Sequence, residues 1–152
     1  MEVQKNISGD GQFIVGDTGA TNTRAFRWSA QTGSQILGLL PGGDYSQAYG
    51  VSSNGSIIVG QASSFSGAST FLWTAELGMM DLHSYLSGVG IDMSHWSHLT
   101  DVSISANGMN LAGSGLFDGQ LRAFYVEGLS IPSPASVTLL GVSGLLFRRR
   151  RS

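Results

Sequence analysis

A ten-residue pattern occurs three times in this chain of 152 residues and limits its fold more than any other feature. The first copy is Ile7-Ser8-Gly9-Asp10-Gly11-Gln12-Phe13-Ile14-Val15-Gly16, followed by Ala25-Phe26-Arg27-Trp28. The second is Val51-Ser52-Ser53-Asn54-Gly55-Ser56-Ile57-Ile58-Val59-Gly60, followed by Thr70-Phe71-Leu72-Trp73. The third is Ile104-Ser105-Ala106-Asn107-Gly108-Met109-Asn110-Leu111-Ala112-Gly113, followed by Ala123-Phe124-Tyr125-Val126. The turn glycines Gly11, Gly55 and Gly108 are 44 and 53 residues apart, and Phe26, Phe71 and Phe124 are 45 and 53 apart. Two markers that shift together define a structural repeat, and such units bury their apolar faces by stacking on one another.

Asp-Gly and Asn-Gly favour positive φ at both central positions of a type I′ turn, so each copy predicts a tight hairpin. The flanking Tyr49, Val51, Ile57, Ile58 and Val59 are strand formers. A second strand is expected over 69–74, with Phe71 and Trp73 on one face. A turn at Ala75-Glu76-Leu77-Gly78 then leads to an apolar run, Met79 to Leu82. The first unit has the same order: Arg24 to Trp28, a turn at Thr32-Gly33, then a strand over Ile36 to Leu40. Counting the strand before each turn, a unit holds about four short strands in about 45 residues, the spacing of a β-propeller blade. A β-solenoid has a shorter period, and an open sandwich repeats less regularly. The expected fold is all-β and partial β-propeller-like, in three repeats at about 7–50, 51–103 and 104–128.

The run Leu39-Leu40-Pro41-Gly42-Gly43-Asp44-Tyr45-Ser46-Gln47-Ala48-Tyr49-Gly50-Val51-Ser52 resembles the HAF family of extracellular repeats. Members show a Leu-Gly-Gly run, an Ala-Tyr/Phe-Gly-Ile/Val-Asn/Ser run, a Gly-Val-Val-Gly strand and an Ala-Phe-Leu/Arg-Trp strand. Residues 7–128 fit that pattern in three copies. The third departs, with Val126 where Trp28 and Trp73 stand and Leu111-Ala112-Gly113 in place of Val-Gly. The resemblance implies an exported, propeller-like repeat protein. It transfers no catalytic residue.

Composition agrees with a turn-rich β chain: 22 glycines and only 12% charged residues. The absence of cysteine excludes disulfides and Cys-ligated zinc. Four of the eight basic residues are Arg148 to Arg151, which leaves four against ten acidic side chains in residues 1–147, net −6. An acidic body argues against nucleic-acid binding, which needs a basic face to neutralise phosphates. Residues Met1 to Asn6 have neither a basic n-region nor an apolar h-region and do not read as a signal peptide. They enter the first repeat partway, and three units fall below the four to eight blades of typical propellers. The expectation is a C-terminal piece of a longer repeat protein or a late-start gene model, which repeats in an upstream reading frame would support.

Residues 83–100 are the least regular and predict a loop with one helical turn before a strand from Leu99 to Ser105. All three histidines, His83, His95 and His98, lie there, near Asp81, Asp92 and Asp101. His95 and His98 at i, i+3 would share a metal ligand position on a helix, but the spacing matches no zinc signature. The competing reading is a polar loop with Trp96 packed into the sheet. There is no Gly-x-Ser-x-Gly elbow, and Gly113-Ser114-Gly115 and Gly42-Gly43 lack the Lys and helix of a phosphate loop. Trp28 and Trp73 could stack on a sugar, although their repeated placement favours core packing. Asn6-Ile7-Ser8 and Asn54-Gly55-Ser56 match the N-glycosylation tripeptide, with Asn54 better explained by its turn. No catalytic, cofactor-binding or metal set emerges.

The C-terminus has three parts in order: Ile131-Pro132-Ser133-Pro134-Ala135-Ser136, the apolar run Val137 to Phe147, and Arg148-Arg149-Arg150-Arg151-Ser152. Pro132 and Pro134 favour an extended segment that a processing enzyme can read. As a helix, Ala135 to Phe147 spans about 20 Å, short of a hydrocarbon core of about 30 Å, so insertion would need snorkelling arginines and local thinning. The arginines would hold that end in the cytoplasm and leave the body outside. This tail resembles the PEP-CTERM protein-sorting signal of Gram-negative bacteria, with Ser133 where the namesake motif has Glu. The resemblance implies cleavage by a membrane-embedded exosortase, then release or attachment at the cell envelope. The other reading of the tail is an uncleaved anchor.

The chain thus reads as a non-enzymatic, exported surface or matrix repeat protein, with residues 129–136 as linker and sorting motif and 137–152 as a hydrophobic helix and Arg-rich tail. Its expected partners are an exosortase-type enzyme, the inner membrane transiently, and a surface polysaccharide. The alternative is a carbohydrate-binding or hydrolytic module whose active residues lie outside residues 1–152.

Overall fold

The computed structural model describes residues 5–19 and 21–131. The sorting motif Pro132, Ser133 and Pro134, the apolar run and Arg148 to Arg151 lie outside the described residues. The described chain forms three antiparallel sheets, each a meander in chain order. The first holds β1 (Lys5–Ile7), β2 (Phe13–Asp17), β3 (Ala25–Ser29) and β4 (Gly33–Ile36). The second holds β5 (Ser46–Val51), β6 (Ile57–Ser64), β7 (Gly67–Thr74) and β8 (Gly78–Asp81). A helix, α1 (Leu82–Gly88), follows, and the third sheet holds β9 (Trp96–Ile104), β10 (Leu111–Phe117) and β11 (Gln120–Val126). The third sheet therefore shows three strands among the described residues. No described helix is long and apolar enough to cross a membrane.

The sheets stack face to face. β5 lies across β1, β2 and β3, and β9 lies across β5, β6 and β7. Strand periodicity then divides the apolar residues between two cores. Ile58, Ala62, Phe71 and Trp73 point toward the first sheet, where they meet Val15, Ala25, Leu37 and Leu40. Ile57, Val59 and Leu72 point the other way and meet Leu99, Val102, Leu111 and Val126. The middle sheet is buried on both faces, which is why Ile57-Ile58-Val59 in β6 and Phe71-Leu72-Trp73 in β7 are continuous apolar runs. Each large side chain so buried contributes roughly 1.5–3 kcal/mol before entropy is counted. Phe71 and Trp73 share a face, as their spacing predicts.

The repeated turns are not type I′. Among their central residues only Gly11, Gly55 and Gly108 have positive φ, while Asp10, Asn54 and Asn107 do not. The reason is the serine two residues earlier. Ser52 Oγ bonds Asn54 Oδ1 at 3.1 Å and accepts from Ile57 N–H at 3.1 Å. Asn54 Oδ1 also accepts from Ser56 N–H, and Gly55 N–H donates to Ser52 C=O. Ser52 N–H closes the loop on Ile57 C=O. The same five bonds recur around Ser8 and Asp10, and around Ser105 and Asn107. A serine at the same position, buried at Ser8 and Ser52 and half-buried at Ser105, therefore sets a four-residue loop in place of the two-residue hairpin.

Two other elements differ from expectation. The strand expected over Ile36 to Leu40 ends at Ile36. Gly38 takes φ 99°, and Leu37 and Leu40 turn off the sheet edge into the first core. The irregular stretch contains α1, two turns in length, which packs on β7 and β8 and buries Leu82 and Leu86 in the core between the second and third sheets. Asp81 starts it by accepting from Ser84 N–H at 2.8 Å. The following strand begins at Trp96, three residues before the expected Leu99.

Candidate functional site

A cleft of about 560 Å³ opens between the second and third sheets. One wall is the β6–β7 hairpin tip, where Phe65 is 86% exposed and its ring lies on Gly42. The opposite wall is the start of α1, with Asp81, His83 and Ser84. The start of β9 adds Trp96 and His98. The hairpin reaches the cleft because Phe65 N–H donates to Pro41 C=O and Asp44 accepts from Ser63 Oγ at 2.7 Å.

Asp81 and His83 are already engaged. Asp81 takes hydrogen bonds from the Ser69 hydroxyl and Ser84 N–H. Burial alone would raise its pKa, but those bonds and nearby His83 outweigh it and hold the carboxyl below its ordinary value. His83 Nε2 lies 3.2 Å from Met93 C=O and 3.0 Å from Trp96 C=O, so it acts as a donor that ties α1 to the entry of β9. Trp96 meets Phe117 and Phe124 edge-on, with centroids 5.2 and 5.6 Å away. One face of an aromatic groove is thus braced from behind. The arrangement can hold an apolar or sugar-like surface.

The metal reading of the histidines is corrected by their placement. His95 and His98 lie at the entry to and within β9, not on a helix. His95 instead pairs its Nδ1 with Asp118 at 2.8 Å on the exposed β10–β11 turn. That hydrogen bond and the Asp118 charge raise the His95 pKa. Asp92 is bound to Ser94, and Asp101 sits in a bulge with φ 51°. Among the described residues, no three His, Asp or Glu side chains are grouped to hold a metal ion.

Trp28 and Trp73 do not share a groove. Trp73 is 3% exposed beneath Arg27, whereas Trp28 is 38% exposed on the far face of the first sheet. Asn6 donates from its side chain to Tyr49 C=O at 2.7 Å, and Asn54 is held in its loop. A second polar cluster was not anticipated: Tyr49 hydroxyl donates toward Gln47 and Gln61 at 3.0 and 3.3 Å. Burial, then Tyr45, Asp17 and Asp101, raise its pKa. Asp17 is buried, with Oδ1 on Gly19 N–H and Oδ2 unpartnered among the described residues. The Tyr49 bonds lie within β5 and between β5 and β6, and the Asp17 bond lies in the loop after β2; no recognised motif marks them.

The stack is similar to a solved propeller-type protein. The crystal structure of TolB from Acinetobacter baumannii matches with a TM-score of 0.59 at 12% identity, over 85% of this chain and 31% of that one. The chain thus spans about a third of that structure's length. At this identity the likeness is one of fold. No family model matches the chain, and no curated protein sequence matches it.

Proposed function

We propose that this chain is an exported, exosortase-sorted repeat protein of the bacterial cell envelope or extracellular matrix, with a structural or binding role and no catalysis. One observation carries the reading: Pro132-Ser133-Pro134, an apolar run and Arg148 to Arg151 follow a stack of blade-like sheets in that order. In this reading the apolar run enters the inner membrane transiently, the arginines keep its end inside, and an exosortase-type enzyme cuts near the prolines. The all-β, acidic stack is then delivered outside, where a surface polysaccharide is its expected partner. Mass spectrometry of the C-terminus, in membrane and envelope fractions of the native host, tests this. A terminus near Pro132 to Ser136 with the arginines removed supports sorting. An intact terminus in the membrane makes the tail an anchor, and an intact chain in the cytoplasm ends the proposal.

The alternative is a carbohydrate-binding or hydrolytic module with its active residues outside residues 1–152. The cleft between Phe65 and Trp96 lies inside those residues and so bears on the binding role of the first reading. Titration with envelope polysaccharides, comparing the parent chain with Phe65→Ala, tests that role. Hydrolysis of such a polysaccharide by the chain would move the weight to the hydrolytic module.

A further inference from the structure

Both internal interfaces of the stack are made from the same two faces. The sheet in front offers the position of Arg27 or Leu72, and the sheet behind offers the position of Trp73 or Val126. Arg27 lies over Trp73 with its central carbon 4.9 Å from the ring centroid. At the next interface Leu72 and Val126 share one core. By the repeat, Tyr125 is the third residue of the Arg27–Leu72 series, and Trp28 is the first of the Trp73–Val126 series. Among the described residues these two have no opposite number in the stack. Tyr125 is 58% exposed and Trp28 38%.

Their surroundings match. Cross-strand pairing puts Ile7, Ile14 and Trp28 in one row and Gly16, Phe26 and Ile36 in the next, on the rear face of the first sheet. Ile7 and Ile36 are exposed there. On the forward face of the third sheet, Leu121 is exposed on the same face of β11 as Tyr125. The turn glycines carry a third sign of the same vacancy. Gly55 lies on the Phe13 ring and Gly108 on Ile57, each on the sheet in front, whereas Gly11 faces open space.

We propose that the forward face of the third sheet and the rear face of the first are two halves of one inter-sheet interface, and that two copies of this chain close on each other head to tail. Tyr125 of each copy would cover Trp28 of the other, as Arg27 covers Trp73. The three described sheets from each copy make six, within the range of about four to eight blades that closes a propeller. A heterologous contact that returns on itself after one partner forms a closed ring, and one that misses forms an open filament. The occupant is a second copy because this chain carries both mating faces, each with the residue series already used inside the stack.

The chain has no cysteine, so cross-linking has no background. Full-length Trp28→Cys and Tyr125→Cys variants, in mild detergent, are oxidised separately and mixed. The mixture should give a disulfide dimer of twice 16.0 kDa, and neither variant alone should. The double variant should stop at that dimer. Cross-linking of single variants as strong as that of the mixture would mean association elsewhere and overturn the proposal. A ladder beyond two copies would overturn the closed ring. A full chain that stays monomeric, as further blades in the same polypeptide would require, would overturn it as well. Trp28→Glu and Tyr125→Glu supply a second readout, since both side chains are exposed and the fold should persist by circular dichroism. Each variant alone should lose the dimer, and mixing the two should restore a heterodimer through the one interface left unaltered.

Discussion

The guanidinium of Arg27 sits over the indole of Trp73, 4.9 Å from its centroid, and 5.2 Å from that of Phe13. It also donates to Gly55 C=O at 2.9 Å, which ties the first sheet to the turn of the second. Burial lowers its pKa and Glu76 partly offsets that. A partly desolvated cation over an aromatic face is worth about 1–2 kcal/mol. A double-mutant cycle of Arg27→Ala and Trp73→Leu, read by urea unfolding, should give a coupling of about 1 kcal/mol. Additive single losses would show that the stacking carries no energy.

Gly55 and Gly78 isolate inter-sheet contact from backbone strain. Both have φ near +70°, at 71° and 72°, but a Cβ on Gly55 would strike the Phe13 ring and one on Gly78 meets nothing within 4 Å. Gly78→Ala should cost about 1–2 kcal/mol, the left-handed penalty alone. Gly55→Ala should cost about 2 kcal/mol more, because the ring must move out of a packed interface. Equal losses in thermal unfolding would remove the sheet-to-sheet contact from the account.

Asp81 joins α1 to the second sheet through Ser84 N–H and the Ser69 hydroxyl. Asp81→Ala should lose about 1–2 kcal/mol, the range of a helix cap, and unfold at lower urea. Because the folded pKa is lowered, the carboxylate's contribution is complete above its ordinary value and is lost as pH falls through the lowered folded value. Acid unfolding of Asp81→Asn should accordingly be less pH-dependent in that window than that of the parent.

The His95 pair with Asp118 has the opposite sign. The folded pKa of His95 is raised, so its stabilisation is present below the unfolded value and fades as pH rises through the raised one. NMR titration of the ring protons should place His95 above an ordinary histidine. In Asp118→Asn it should fall back toward that ordinary value, and an unchanged titration would dissolve the pair.

Much of the fold is legible in the sequence because its signals are local. Gly11, Gly55 and Gly108 mark turns, and Phe71 and Trp73 show their shared face by spacing two. The serine before each turn was equally visible, three residues ahead of each glycine, yet its effect on turn type depends on where its hydroxyl points. Leu37 and Leu40 looked like strand because apolarity alone does not distinguish a sheet row from a segment folded into a core. The cleft was not legible, since Phe65, Asp81 and Trp96 come from separate elements and meet only when two sheets stack.

By itself the sequence determined that the chain is a β repeat, where its turns lie, and which residues of each strand share a face. These follow from φ preferences and the two-residue period of a strand, which act within a few bonds. Only the tertiary structure decided that the middle sheet is buried on both sides while Trp28 and Trp73, equivalent in the repeat, differ in exposure from 38% to 3%. The physical reason is that burial belongs to the neighbour: identical positions become core or surface according to whether another sheet lies across them.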